Sequence, residues 1–427
     1  METITIGLLG LGTVGKGVVT LLQTQAAKIA RTQDFRFKLK SVAVHNLAHH
    51  QGDRLPAGTI LTDKVTDVVD DPEIHIVVEA MGTIAPAKVA ICQAILNGKS
   101  IISANKDLLA TAGEEILQLA KTAKVDFFYE ASVAGGIPIL RVLSSCLETD
   151  QITQITGIIN GTANYVLTAM DRKGQDYKTA LAAAQELGYA EADPTNDVQG
   201  IDATYKLIIL SRFAFGQSLS LKDVPAQGIT NVSPAQLASA NQLGLKVKLL
   251  AVAKEEKHQL FSFVGPAAIP AAEPLAHVNG VQNAIAVQSD ALGETTYTGP
   301  GAGATPTANS ILSDLLATGD DIVKGNCGRE FNSYRKPAIA KPLTAVPQRY
   351  LITVEGTGNL LSIVSNIPTV SWQQQATGQD YWSGLTPVID HDDLEQLCAS
   401  CDRAAGRLPS SPSLTAGKPF RKRLENK

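Results

Sequence analysis

An α/β chain that opens on a Rossmann-type doubly wound parallel sheet and continues into a second, α+β domain is the fold class these residues predict. Three observations carry it. A short apolar run at 3–9 leads through a glycine-rich turn into a helical stretch, strand-like and helix-like segments then alternate to about residue 131, and beyond about 138 longer strand-like runs take over. A chain of 427 residues, 44% of them hydrophobic, has room for two or three domains with proper cores.

The first strand, TITIGLL, runs into Gly10-Leu11-Gly12-Thr13-Val14-Gly15 and then the helix KGVVTLLQTQAAKIA. In a strand, turn, helix setting such glycines permit a tight turn and let a pyrophosphate approach the helix N-terminus, with a ligand-free βα turn as the alternative. The second strand, KLKSVAV, ends at His45-Asn46, where an acidic residue would bind a ribose 2′-hydroxyl. A 2′-phosphate therefore meets no fixed negative charge there. The alternation continues through strand 74–80, helix 86–98, strand 100–104, helix 113–124 and strand 125–131. Ligands on such sheets bind at the carboxyl ends of the strands, where Gly82-Thr83 and Asn105-Lys106 fall. Lys106 is thus a candidate contact for cofactor or substrate, against the plainer reading of a solvated turn lysine.

Runs at 151–160, 246–253, 259–265 and 281–288 predict a mostly antiparallel second sheet. Asn160-Gly161-Thr162 reads as a turn, and its glycosylation pattern is irrelevant in a cytoplasmic chain. Between these runs lies ELGYAEADPTNDVQGIDATYKLIILSRFAFG, with Glu191, Asp202 and Lys206 as its notable charges. Gly188 closes the preceding Ala-rich helix, and Pro194, Asn196 and Asp197 make a loop. Asp202 and Lys206 sit four apart on the next helix and project from one face. That helix is apolar nearly all round, so it is expected to be buried, and a lysine held beside an aspartate in such a setting can serve as a tuned proton donor. Local physics leaves that reading and an ordinary helical ion pair evenly open. A second glycine-rich segment, 299–303, precedes a helix expected over 305–320 that returns to the nucleotide domain.

With 37 basic and 41 acidic residues the net charge is −4, which gives no electrostatic case for nucleic acid or an anionic membrane. No apolar stretch is long enough to span a bilayer and Met1 leads directly into a strand, so the cytoplasm is the expected compartment. The five cysteines are scattered and read as reduced thiols; Cys398 and Cys401 form a CxxC in a helical context, without a second pair for zinc. His45, His49 and His50 lie in a loop and are read as no metal site.

Six runs, GLLGLGTVGKGVV, SANKDLLA, YEASVAGGIPIL, GIINGTANYVLTAM, ELGYAEADPTNDVQGIDATYKL and YTGPGAGATPTANSI, together resemble homoserine dehydrogenases over roughly residues 1–345. The resemblance implies reversible, NAD(P)-dependent interconversion of L-homoserine and L-aspartate 4-semialdehyde, on the route to threonine, isoleucine and methionine. It implies Lys206 as proton donor to the substrate oxygen, and Glu191 and Asp202 as the groups holding homoserine. It assigns Thr13, Val14, Lys106 and Gly303, beside Gly10, Gly12 and Gly15, to the cofactor. It also places a monovalent cation, sodium, on Glu130, Val133, Gly135 and Ile137, largely through backbone carbonyls, and suggests a homodimer formed through the second domain. Many relatives carry an arginine near the end of the second strand where this chain has His45, which leaves NADP against NAD open, leaning to NADP.

The resulting division is a nucleotide domain over 1–137, a substrate and dimerisation domain over 138–345, a shortened ACT-like (ferredoxin-like) module over 349–408 and a polar tail over 409–427. In the module, strands are expected at 349–355, 367–375 and 381–390 and helices at 358–366 and 392–402, with no final strand and weak or absent threonine control. Rival readings are a dehydrogenase for another amino acid, such as aspartate, and a dinucleotide sensor without turnover. Activity with homoserine separates them.

Overall fold

Strand β1 (Glu2–Leu9) forms where Ile4, Ile6, Leu8 and Leu9 are almost wholly buried, an apolar run covered on both faces as a central parallel strand requires. A computed structural model describes residues 1–332, 336–356 and 372–404. Around β1 it sets β2 (Phe35–Ala43), β3 (Ile60–Thr62), β4 (Ile76–Glu79), β5 (Ser100–Ser103) and β6 (Phe127–Phe128) in a six-stranded parallel sheet, ordered β3-β2-β1-β4-β5-β6. The order reverses beside β1, and that switch point is where a doubly wound sheet opens a crevice for a ligand. The helices α1 (Thr13–Thr24), α2 (Ala26–Thr32), α3 (Thr66–Val69), α4 (Ala85–Leu96) and α5 (Lys106–Ala123) accompany the strands.

Three expectations change here. The helix expected over 113–124 begins at Lys106, because the Asn105 side chain caps it by accepting from the Leu108 N–H at 3.1 Å. The strand expected over 125–131 shrinks to Phe127–Phe128, since Glu130–Ser132 tightens into a 3-10 turn. The short β3 and α3 are not among the expected elements; three and four residues leave too brief a periodicity to register.

A short turn, α6 (Ile139–Arg141), leads into the second sheet. Its strands are β7 (Ile152–Ile158), β9 (Leu245–Glu256), β10 (Gln259–Pro270), β11 (Gln282–Ser289), β12 (Gly293–Pro300) and β14 (Ala340–Pro342), ordered β12-β11-β7-β9-β10-β14. All pairs are antiparallel except β10 with β14. A two-stranded piece, β8 (Gln217–Ser218) with β13 (Lys336–Pro337), lies apart from it. The helices α7 (Gly161–Lys173), α8 (Tyr177–Glu186), α9 (Thr195–Val198), α10 (Ile201–Phe215) and α11 (Pro234–Gln242) share a continuous apolar core with this sheet and with part of the first. Asn160-Gly161-Thr162 is therefore not a turn: Asn160 is the N-cap of α7, its side chain accepting from the Ala163 N–H at 2.8 Å.

Helix α12 (Ala304–Lys324) lies on α1, and the approach is close enough that a Cβ on Gly17 would come within 2.4 Å of the Ala304 carbonyl. The last described unit is a three-stranded antiparallel sheet of β15 (Leu351–Glu355), β16 (Gln374–Thr377) and β17 (Tyr381–Leu385), ordered β15-β17-β16, with the helix His391–Ala404. Tyr350, Ile352, Val354, Trp382, Leu394 and Leu397 make its core. Of the strand expected over 367–375, residues 367–371 lie outside the described residues and the described part joins a strand at Gln374–Thr377; that expected over 381–390 ends at Leu385. The helix expected over 358–366 and the tail over 409–427 lie outside the described residues. Among the described residues no helix is long and apolar enough to cross a membrane.

Candidate functional site

Helix α10 starts after Gly200, whose φ of +80° suits glycine, and buries Leu207, Ile208, Ile209 and Leu210 completely. Asp202, 6% exposed, and Lys206 face one another a turn apart, Nζ to Oδ2 at 2.7 Å. Lys206 Nζ also donates to the Ile159 carbonyl at 2.8 Å, at the end of the second sheet's β7. An ammonium has three hydrogens, so two fixed partners aim the third. The other oxygen of Asp202, Oδ1, lies 3.4 Å from Lys106 Nζ, which starts α5 in the first sheet's layer and also sits 3.3 Å from Asp107. Two lysines, one on α10 and one at the start of α5, thus converge on one buried carboxylate.

Electrostatics follow from that geometry. Burial alone pushes the Asp202 carboxyl up, but Lys206 and then Lys106 outweigh it and hold Asp202 below the usual carboxylate range. Burial pulls Lys106 down, and the carboxylates of Asp202 and Asp107 more than reverse this, so Lys106 stays charged. Asp202 and Lys106 are therefore ionised at neutral pH, and the cluster can polarise an oxygen placed against it. Beside it, burial raises the Asp197 carboxyl, which accepts from Asn160 Nδ2 at 2.7 Å.

Lys106 is held from behind by residues that the sequence reading missed. Glu79, fully buried at the end of β4, accepts from Ser103 Oγ (2.6 Å), the Met81 N–H (2.8 Å) and Asn105 Nδ2 (3.3 Å). Asn105 also donates to the Thr83 carbonyl at 2.7 Å, so one carboxylate ties the 81–83 turn to the N-terminus of α5. A charged residue closing the apolar strand IHIVVEA was the available signal. For Asn160 the signal was an Asn at the junction of strand and helix, the usual N-cap position.

On the first sheet, Gly10 has φ +95° and lies so near the next crossover that a Cβ would stand 2.4 Å from the Ala80 carbonyl. A Cβ on Gly15 would stand 2.2 Å from the Gly10 carbonyl, which makes Gly15 a packing glycine. Gly12 differs: a Cβ there would meet nothing within 4 Å. Gly12 and Thr13 are exposed at the start of α1, Val14 is half-buried, and no side chain caps the helix. An uncapped helix N-terminus beside open space fits a pyrophosphate. Gly303, φ +119°, is the N-cap of α12, on the side of α1 that Gly17 opens.

Among the described residues the remaining candidates make no hydrogen bond or ion pair with the lysine cluster. Glu191 is exposed on the loop after α8, its carbonyl accepting from Gln185 Nε2 at 3.1 Å. Glu130 is buried, and its carboxylate accepts from the Leu140 and Arg141 N–H groups at 2.8 and 2.7 Å. Burial, with Asp314 nearby, pushes Glu130 up to about 7. Val133, Gly135 and Ile137 are buried on a loop where Ala134 and Gly135 take φ of +54° and +51°. Among the described residues no three His, Cys, Asp or Glu side chains converge as a metal site, so an ion on this loop would be held by carbonyl oxygens, as hard monovalent cations accept.

Comparison with known proteins matches the chain to one family. The family model for homoserine dehydrogenase matches residues 138–316, and that for the homoserine dehydrogenase NAD binding domain matches residues 10–130. The homoserine dehydrogenase of Lactococcus lactis is 42% identical over 413 residues, covering 94% of this chain and 96% of the relative. A homoserine dehydrogenase structure from Thiobacillus denitrificans superposes with a TM-score of 0.88 at 35% identity, over 97% of this chain and 98% of that one. A hyperthermophilic archaeal homoserine dehydrogenase mutant in complex with NADPH superposes with a TM-score of 0.65 at 25% identity, over 75% of this chain and 98% of that one.

Proposed function

The chain belongs to the homoserine dehydrogenase family, and from that premise we propose that Lys206, Asp202 and Lys106 carry its chemistry. It is an oxidoreductase acting on a CH–OH group, interconverting L-homoserine and L-aspartate 4-semialdehyde in the biosynthesis of threonine, isoleucine and methionine. A bound nicotinamide dinucleotide supplies and accepts the hydride. Lys206 does the proton work. In the reducing direction its free N–H donates to the aldehyde oxygen, stabilises the negative charge growing there, and passes its proton to that oxygen. In the oxidising direction the neutral amine takes the proton back from the hydroxyl. Asp202 keeps Lys206 aimed and, with Glu191, offers negative charge to the substrate's ammonium group. Lys106 adds a second positive charge at the same oxygen.

The observation that carries this reading is the buried Asp202 carboxylate bridging lysines from α10 and α5, with one hydrogen of Lys206 unspent. For the cofactor, Gly10, Gly12, Thr13, Val14, Gly15 and Gly303 form the bed, with NADP preferred over NAD because no acid stands at the end of β2. For the cation the reading is sodium on the buried loop of Glu130, Val133, Gly135 and Ile137, where an ion would be held largely through backbone carbonyls. The units 1–137, 138–345 and 349–408 act as nucleotide, substrate and accessory domains, and pairing of two chains runs through the second sheet, whose outer strand β12 ends it among the described residues. The deciding assay follows reduced-nicotinamide absorbance with L-aspartate 4-semialdehyde, and in reverse with L-homoserine and L-aspartate. Turnover with homoserine and none with aspartate is expected; the opposite pattern would overturn the reading.

A further inference from the structure

Asn160 is 4% exposed and uses its whole side chain. Its Oδ1 caps α7 at Ala163, and its Nδ2 gives one hydrogen to Asp202 Oδ2 at 2.8 Å and the other to Asp197 Oδ1 at 2.7 Å. Asp202 Oδ2 is the same oxygen that Lys206 contacts, which leaves Oδ1 for Lys106. We propose that Asn160 is a positioning residue for the reaction, an amide clamp that fixes the rotation of the Asp202 carboxylate so that it serves both lysines and holds Asp197 beside it. The inference rests on the roles given above to Lys206 and Asp202.

The chemistry requires a residue of this kind. Two carboxylates bound to one nitrogen are close enough to repel, and without a donor between them either would share a proton or swing away. A primary amide is the neutral group that can donate to both and still accept a capping N–H. Because Asn160 directly follows Ile159, whose carbonyl receives Lys206, one backbone step ties the clamp to the proton donor. The groups facing Asp202 are Lys206 on its own helix, Lys106 with Asp107 behind it on α5, Asp197 on α9 and the amide of Asn160 from α7. Tyr205, beside Lys106 and Asp107, is raised first by burial and stays neutral. Removing the amide leaves the lysines to hold Asp202 alone against Asp197.

The test is Asn160→Asp, which keeps the size and the helix cap but replaces both donors by a third acid. Asn160→Ser is its partner, keeping a cap and a single O–H. With Asn160→Asp, kcat/KM for homoserine falls by about 10- to 100-fold, the acid limb of its pH profile moves up by about one unit, and NADPH affinity by fluorescence titration stays within about twofold. Asn160→Ser falls between this variant and wild type without moving the limb as far. A folded Asn160→Asp protein with the wild-type pH profile and kcat/KM within about twofold overturns the inference. So does loss of fold or of dinucleotide binding in both variants although each keeps a cap, which would make the amide a structural hydrogen-bonding group and not a positioning residue. Lys206→Met, run alongside, separates the two layers. If it is active, the underlying assignment fails; if it is inactive while both Asn160 variants behave as wild type, only the clamp fails.

Discussion

Replacing Gly12 by valine separates cofactor binding from folding. Gly12 has φ −75° and ψ −160°, an extended N-cap conformation open to any residue, and a Cβ there meets no protein atom within 4 Å. The folded protein has room for the side chain, and the change at the N-cap costs at most about 1 kcal/mol. A pyrophosphate seated on the uncapped start of α1 would be displaced from the backbone N–H groups. Two lost charge-assisted hydrogen bonds at ~1.5–3 kcal/mol each amount to about 3–6 kcal/mol, or roughly 10²- to 10⁴-fold in Kd. Nucleotide fluorescence titration and thermal melting read the two quantities separately. Gly10→Ala is the contrast: with φ +95° and a Cβ 2.4 Å from the Ala80 carbonyl, it melts earlier whether or not nucleotide is present. Unchanged nucleotide affinity in a folded Gly12→Val protein would refute the placement of the pyrophosphate.

Two further outcomes are expected. Asp126 is fully buried, accepting from the Gly328 N–H at 2.7 Å, and burial pushes its carboxyl from 3.8 up to about 6. A raised carboxyl pKa means stability is lost as pH rises from about 4 through 6, a shift of about two units or ~3 kcal/mol at most. Asp126→Asn should therefore be more stable than wild type in urea titrations above pH ~6 and gain nothing below ~4; a gain that is independent of pH would contradict this. The third outcome concerns His45, exposed just beyond β2: His45→Arg raises the NADP over NAD ratio of kcat/KM by about tenfold through pairing with a 2′-phosphate. Lys40, already bridged to Asp71 and Glu73, is poorly placed to take that part. An unchanged ratio would mean the 2′-phosphate is held elsewhere.

Features with strong local periodicity were legible in the sequence. The apolar run before Gly10 announces β1 and the cofactor turn, and the apolar envelope of 201–215 announces a buried helix carrying Asp202 and Lys206. What stayed hidden depends on contacts distant in the chain. Nothing near Lys106 says that its ammonium meets Asp202, because that contact forms only when α5 packs on α10. Glu79 and Asn160 look like ordinary ends of strands until the folded chain gives each its three hydrogen bonds. The strand β12, GETTYTGP, lacks an apolar face of its own and exists because β11 pairs with it along its whole length. The expected start of α5 at 113 falls seven residues late because Asn105, placed in the sequence only at a strand end, is its cap.

The proton-transfer role of Lys206 is tested most directly by the turnover of Lys206→Met in reduction of L-aspartate 4-semialdehyde at saturating NADPH. Methionine keeps the length and the apolar stem contacts while removing the ammonium that Asp202 and the Ile159 carbonyl aim. The account predicts a fall in kcat of about 10²- to 10⁴-fold with NADPH affinity nearly unchanged. Turnover within about tenfold of wild type would contradict it.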